Sequence, residues 1–355
     1  MRIHSILHIG FVFLLSFGPR GELSAQSARW GFHGQAGYVL PHRPEMHALV
    51  TGHSWGFGAE RGSWSQNGWR AEWRHGRGIW EGVEYAWLDA GSSSMGQIVS
   101  AMWKVKIPVW RSVTGEFGSG LGWALSPYDL EKRPLSFALG THLNAGLHLG
   151  LSAKLADLGS HEAVITTGLT HFSNGAVSMP NLGINNLFLR LCLIPQRFID
   201  QAPLPQNSLE IPQVKWSGFS AIRTGIRDVN LPGGVRHPVS SCMAGVLRHY
   251  STRFAAVVAA DLSYNQSLRE TTGIALSAMQ RTQWASQLGV DVCFGRAHLM
   301  LLQGWVWSNP DVALGRRHLH AAFGYELWPQ WRLEIGLRSF RLRADYAYLG
   351  IGRAF

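Results

Sequence analysis

Glu162-Ala163-Val164-Ile165-Thr166-Thr167-Gly168-Leu169-Thr170-His171-Phe172-Ser173-Asn174-Gly175 is the stretch on which the fold turns. In extended chain, alternate side chains share a face. Ala163, Ile165, Thr167 and Leu169 share one parity with His171 and Ser173; Glu162, Val164, Thr166, Gly168 and Thr170 carry the smaller, more polar one. After Gly175 and a second irregular run, Pro180-Asn181-Leu182-Gly183-Ile184-Asn185, the apolar parity resumes at Leu187, Leu189, Leu191 and Leu193, with Asn185 in line. The two arms read as a hairpin whose greasy side carries a His, a Ser and an Asn. A sheet facing water would not place them there; a sheet facing lipid could.

The same period-2 pattern recurs along the chain. From Phe137 to Leu151, Phe137, Leu139, Leu143, Ala145, Leu147, Leu149 and Leu151 fall on one face, and only Thr141 interrupts them. Ser136, Gly140, His142, Asn144, Gly146, His148 and Gly150 fall on the other. Near the end, Leu333, Ile335 and Leu337 alternate with Arg332, Glu334, Gly336 and Arg338, and Tyr346 to Phe355 places Leu349, Ile351 and Phe355 opposite Gly350 and Gly352. Apolar outside with charged and small inside is what lipid requires of a closed barrel. The predicted fold class is all-β, a transmembrane antiparallel β-barrel of about 14 strands, with 12 to 16 as the range that strand-plus-turn lengths allow. One large barrel is expected rather than two small ones. Trp30, Trp110, Trp307, Trp328 and Trp331 fall near predicted strand ends, as interfacial girdles do.

Residues 1–25 read as a secretory signal peptide: Arg2, an apolar core from Ile6 to Phe17, and Leu23-Ser24-Ala25 before Gln26. The expected address is the outer membrane of a Gram-negative type of cell. The chain from 26 to 355 is taken as barrel, with a Pro-rich connection at 198–212 and additional strands over 213–355. A hydrophobic content of 46% with 41 glycines and 16 tryptophans suits short alternating strands separated by turns. Cys192, Cys242 and Cys293 are odd in number and widely spaced, so they cannot all pair, and no metal-ligand spacing stands out. A net charge of +10 and a pI near 9.9 point to an anionic partner. For a secreted, aromatic-rich chain that partner is phosphorylated lipid rather than nucleic acid. Oligomeric state is not legible.

Ester hydrolysis by serine needs a base, a group that orients the base and donors for an oxyanion. His171 and Ser173 are i, i+2 neighbours on one face, roughly 6–7 Å apart at their bases and able to lean together. Asn174, Asn181 and the amides around Gly175 could serve the oxyanion or hold the loop. Neither metal nor cofactor is required.

His171-Phe172-Ser173-Asn174-Gly175 followed by Pro180-Asn181-Leu182-Gly183-Ile184-Asn185 resembles the active-site hairpin of the lipid A 3-O-deacylase (PagL) family, which includes larger acyloxyacyl hydrolases. The resemblance implies an outer-membrane barrel enzyme that removes an ester-linked acyl chain from the lipid A of lipopolysaccharide. It covers about 29–197, where some eight strands would match the small family barrel. It also implies Ser173 as nucleophile, His171 as base, and Asn174 and Asn181 near the reacting centre. Two departures stand out. The family's triad Glu falls at Asn185, which can hold the imidazole tautomer but carries no charge. Asp129 or Glu131, in the preceding loop, are candidates for a replacement acid. The chain beyond Gln213 has no counterpart in the small barrel and is expected to widen it.

Other patterns are weaker. Gly115, Gly118, Gly120 and Gly122 resemble a phosphate loop only superficially, since no helix start follows. His318 with His320, and His142 with His148, lie on lumen faces without carboxylate or cysteine at ligand spacing. Beside the hydrolase, two readings stay open: a barrel of the same descent with weak or no turnover, serving as a structural or lipid-binding protein, and a porin-like channel.

Overall fold

The computed structural model of the protein describes residues 28–65, 78–110, 112–195, 215–229, 234–341 and 343–355. The expected signal peptide and the Pro-rich connection lie outside the described residues. The described chain is all-β and antiparallel, and no helix in it is long and apolar enough to cross a membrane.

Eight strands close a first barrel: β1 (Arg29–Val39), β2 (Ser54–Ser65), β3 (Ile79–Asp89), β4 (Gln97–Trp110), β5 (Val113–Ala124), β6 (Leu143–Leu158), β7 (His161–Ser173) and β8 (Ile184–Pro195). Eight more close a second: β9 (Trp216–Asp228), β10 (Arg236–His249), β11 (Phe254–Asn265), β12 (Thr282–Phe294), β13 (Ala297–Val306), β14 (Arg317–Trp328), β15 (Trp331–Phe340) and β16 (Arg343–Ala354). The expectation of one barrel of about 14 strands is therefore corrected. The reason is closure. β8 returns to β1, with Phe32 opposite Leu193 and Tyr38 opposite Leu187, so every ladder bond of the first barrel is taken up before the later strands begin. β16 likewise returns to β9, pairing Ala347 with Ile226. No edge is left for residues beyond 213 to widen.

The alternation sets inside from outside in both barrels. Outward leucines of β6 and β8 stand exposed, Leu149 at 58% and Leu189 at 56%. Inward positions hold charge. In the first barrel Lys104 Nζ lies 2.9 Å from both Glu84 and Glu116, Arg190 lies 2.5 Å from Glu84, and Lys106 pairs with Glu60. In the second, Arg223 lies 2.9 Å from Glu334, and Arg338 2.7 Å from Asp345. Buried charge is tolerated because each group meets an opposite charge and hydrogen-bond partners. The histidines considered for metal join this packing: His148 bonds Thr170 and Glu116, and His320 bonds the Tyr348 hydroxyl at 2.6 Å. Gly118, Gly120 and Gly122 belong to β5, which excludes a phosphate loop there.

The loops at one rim of the first barrel, 40–53, 90–96, 125–142 and 174–183, bury an apolar cap that includes Met46, Met95, Leu139, Phe172 and Ile184. Here a second expectation is corrected: the strand read from Phe137 begins at Leu143. Ala138 and Leu139 are drawn into the cap, and the Phe137 and Ala138 carbonyls accept the amides of Leu182 and Gly183.

The barrels meet along their outer surfaces. Val105 points outward from β4 yet is fully buried against Phe294 and Ala297. Phe117 stacks on Phe294 with ring centres 6.1 Å apart, and Trp103 lies 5.8 Å from Phe323.

Candidate active site

β7 carries His171 and Ser173 outward to the capped rim, and β8 sets Asn185 directly opposite His171. The three side chains join in a line. His171 Nε2 lies 3.0 Å from Ser173 Oγ, and His171 Nδ1 lies 2.6 Å from Asn185 Oδ1. The Asn185 amide nitrogen in turn lies 2.9 Å from Nδ1 of His42, in the β1–β2 loop. Asn185 Oδ1 can only accept, so His171 carries its proton on Nδ1 and leaves Nε2 free to accept from the serine hydroxyl. That tautomer prepares a serine for deprotonation. His42 was not among the residues singled out from sequence. It stands 143 residues from Asn185, and no spacing rule connects them.

The loop between β7 and β8 is tied by its asparagines. Asn174 N–H donates to Asn181 Oδ1 at 3.2 Å, and Asn174 Nδ2 donates to the Ser178 carbonyl at 2.8 Å. Gly183 sits at φ +78°, and a Cβ there would lie 3.1 Å from His171 Cε1. The chain must pass close beneath the imidazole in a left-handed turn, and glycine meets both demands.

Asp129 is placed differently from this cluster. Its carboxylate accepts the amides of Glu131 and Lys132 and closes its own exposed turn. Those amides, Lys132 foremost, hold its pKa below the usual carboxylate value. The nitrogen of His171 that an acid would address is the one Asn185 already engages.

The outward face beside the line of four is apolar. Leu147 and Leu149 of β6 and Leu187 and Leu189 of β8 stand exposed on either side of β7, whose Ile165 and Leu169 are half-buried between them. A cavity lined by Arg29, Glu60, Trp64 and Lys106 lies at the opposite rim, away from this chemistry. At the near rim, burial and the charge of Arg343, from the second barrel, lower the pKa of Arg43.

Elsewhere, Asp291, Cys293 and His298 bring their ligand atoms within 4.8 Å of one another, a grouping that sequence spacing did not reveal. Arg332 Nη1 already stands 3.3 Å from Asp291, so a resident cation balances that carboxylate and the grouping reads as an ion-pair cluster. All three cysteines are free.

Residues 53–193 match the family model described as lipid A 3-O-deacylase (PagL), and residues 215–355 match the one described as acyloxyacyl hydrolase, C-terminal domain. The first match spans β2 to β8 and the second β9 to β16. No curated protein matches the chain. Among solved structures, a mutant of Rh. blastica porin aligns at 10% identity over 92% of this chain and 100% of its own, with a TM-score of 0.20. A structure titled "Asymmetric conductivity of engineered proteins" aligns at 10% identity over the same shares, with a TM-score of 0.19. Scores this low carry no argument about architecture.

Proposed function

Since the chain belongs to the lipid A 3-O-deacylase (PagL) and acyloxyacyl hydrolase family, we propose that it is an outer-membrane hydrolase that removes an ester-linked acyl chain from lipid A, with Ser173 as nucleophile and His171 as general base. The observation that carries this reading is the hydrogen-bonded line Ser173–His171–Asn185 on the outward face of the first barrel. A lipid substrate arrives from the bilayer side, so its reacting groups must face outward, where these do.

In the proposed reaction His171 Nε2 takes the Ser173 proton as Oγ bonds to the ester carbonyl carbon. The carbonyl oxygen becomes an oxyanion, received by the Gly175 backbone amide and the Asn181 side-chain amide. The C–O bond to the sugar then breaks, and its oxygen takes the proton from His171. Water repeats the sequence on the acyl-enzyme, releasing the fatty acid and restoring Ser173. Asn185 holds the imidazole in the required tautomer without adding charge. Asn174 serves the loop, since its donors are spent there.

The apolar outward face of β7 and its neighbours suits an acyl chain: six residues from His171 back to Ile165 span roughly 20 Å of strand. The rim arginines Arg43 and Arg343 suit an anionic headgroup, which a guanidinium binds by charge-assisted hydrogen bonds. A signal peptide and an outer-membrane address complete the proposal.

Asn185 favours a second reading, a barrel of this family with little turnover. The channel reading has less support, because both lumens are crossed by paired, buried side chains. The test is to mix purified protein with lipopolysaccharide and follow release of a hydroxylated fatty acid by mass spectrometry. Wild type should release it, and Ser173→Ala and His171→Ala should each abolish release. An unchanged acylation pattern with wild type, in detergent and in membranes, would refute the hydrolase reading.

A further inference from the structure

The second barrel carries no counterpart of the catalytic line on its own last hairpin. There Leu337-Arg338-Ser339 faces Ala347, whereas the first barrel sets His171-Phe172-Ser173 against Asn185. This same face of the second barrel receives the active-site loop. A Cβ on Gly175, at φ +64°, would lie 2.6 Å from Ala347 Cβ and 3.4 Å from Leu337 Cδ1. The contact is thus closer than any side chain would permit. Gly175 is the residue whose amide the proposed reaction uses.

Polar bonds hold the rest of the loop to the same neighbour. The Asp228 amide, at the end of β9, donates to the Ala176 carbonyl at 2.9 Å. Asp228 Oδ2 accepts the Met179 amide at 3.0 Å, and Arg236 Nη2 donates to Ser178 Oγ at 3.4 Å. Asp228 is 5% exposed, so its bond to Met179 is shielded from competing water. Three tethers, at Ala176, Ser178 and Met179, and one close approach at Gly175 fall within six residues of Ser173. A barrel packed alongside for bulk alone would have no need to address the loop residue by residue.

From this we infer that the second barrel is a positioning module, and that Asp228 is a positioning residue that fixes the β7–β8 loop so that the Gly175 amide stays aimed at the reacting carbonyl. The inference rests on the proposed hydrolase reading for its kinetic consequence but not for its structural one. Asp228 acts through the Met179 and Ala176 backbone.

The experiment compares wild type with Asp228→Ala and Asp228→Asn in the full-length chain. Asparagine keeps an oxygen that can accept the Met179 amide; alanine does not. Hydrogen exchange read on peptides spanning 174–183 should be about ten- to a hundredfold faster in Asp228→Ala, the loss expected for one shielded, charge-assisted bond, with Asp228→Asn close to wild type. Turnover on lipopolysaccharide should fall roughly tenfold in kcat for Asp228→Ala with KM nearly unchanged, and recover in Asp228→Asn. Wild-type exchange rates over 174–183 in Asp228→Ala would overturn the inference. If wild type releases no fatty acid, the hydrolase reading fails, and exchange alone still decides whether the tether exists. Should Asp228→Ala fail to fold, Ala347→Phe serves instead. Its side chain points out of the second barrel, toward Gly175, and should loosen the same peptides. Unchanged exchange there would equally overturn the inference.

Discussion

Replacing Asn185 by aspartate asks how much the missing negative charge matters, because the two side chains have the same shape. His171 Nδ1 lies 2.6 Å from Asn185 Oδ1, so a carboxylate at that position would face the imidazolium formed in the transition state across charge centres roughly 4 Å apart. At an effective dielectric of about 20 the attraction is about 4 kcal/mol. Two losses offset part of it. The carboxylate must be held partly out of water, and it can no longer donate to His42 Nδ1. What remains is about 1.4–2.7 kcal/mol, a tenfold to hundredfold rise in kcat. The gain should stay well below the roughly 10⁴-fold effect of the reverse change in a serine protease triad, because much of that loss comes from a wrong tautomer, whereas Asn185 already enforces the right one. The assay is the initial rate of fatty-acid release from lipopolysaccharide in micelles, with Asn185→Glu alongside as the longer carboxylate. If both variants fold and neither is faster than wild type, the electrostatic argument is wrong, and Asp129 or Glu131 becomes the acid to test by alanine substitution.

Three further outcomes are expected. His42→Ala should lower the rate several-fold with little effect on thermal unfolding, since it frees the Asn185 amide to rotate while leaving an exposed loop otherwise intact. Gly183→Ala should cost about 1–2 kcal/mol for a left-handed residue with a Cβ and displace His171, so activity should drop further than stability, measured by melting and turnover on the same sample. In planar bilayers the protein should give no steady ion conductance, because Lys104, Arg190, Arg223 and Arg338 are paired across the lumens; open-channel steps would revive the porin reading.

The alternation was readable because a barrel strand whose two faces meet different surroundings must repeat every second residue. It located β7, β8, β15 and β16 and the facing of His171, Ser173 and Asn185. Barrel number was not readable in the same way. The pairing of Phe32 with Leu193 and of Ala347 with Ile226 joins strands far apart in sequence, and a strand looks alike whichever neighbour it takes. The residues from Phe137 to His142 misled because a loop folded over an apolar cap happens to keep the period of a strand. His42 and Asp228 escaped notice for a related reason. Their contacts join residues far apart in sequence, His42 with Asn185 and Asp228 with Ala176 and Met179, and neither belongs to a local motif.

The hydrogen bonds that begin at Ser173 all point one way. The serine hydroxyl gives to His171, His171 gives to Asn185, and Asn185 gives to His42. Such a row has a polarity, and only one of its two polarities is useful. Were the Asn185 amide to turn over, its nitrogen would face His171 Nδ1, the imidazole proton would move to Nε2, and the serine would meet a donor where it needs an acceptor. An amide has nearly the same outline in both orientations, so packing cannot choose between them. With its proton on Nε2, His42 offers Nδ1 as an acceptor to the Asn185 amide and favours the useful orientation, at the far end where the β1–β2 loop meets the rim. A residue outside the proposed trio thereby favours one sense of the whole row.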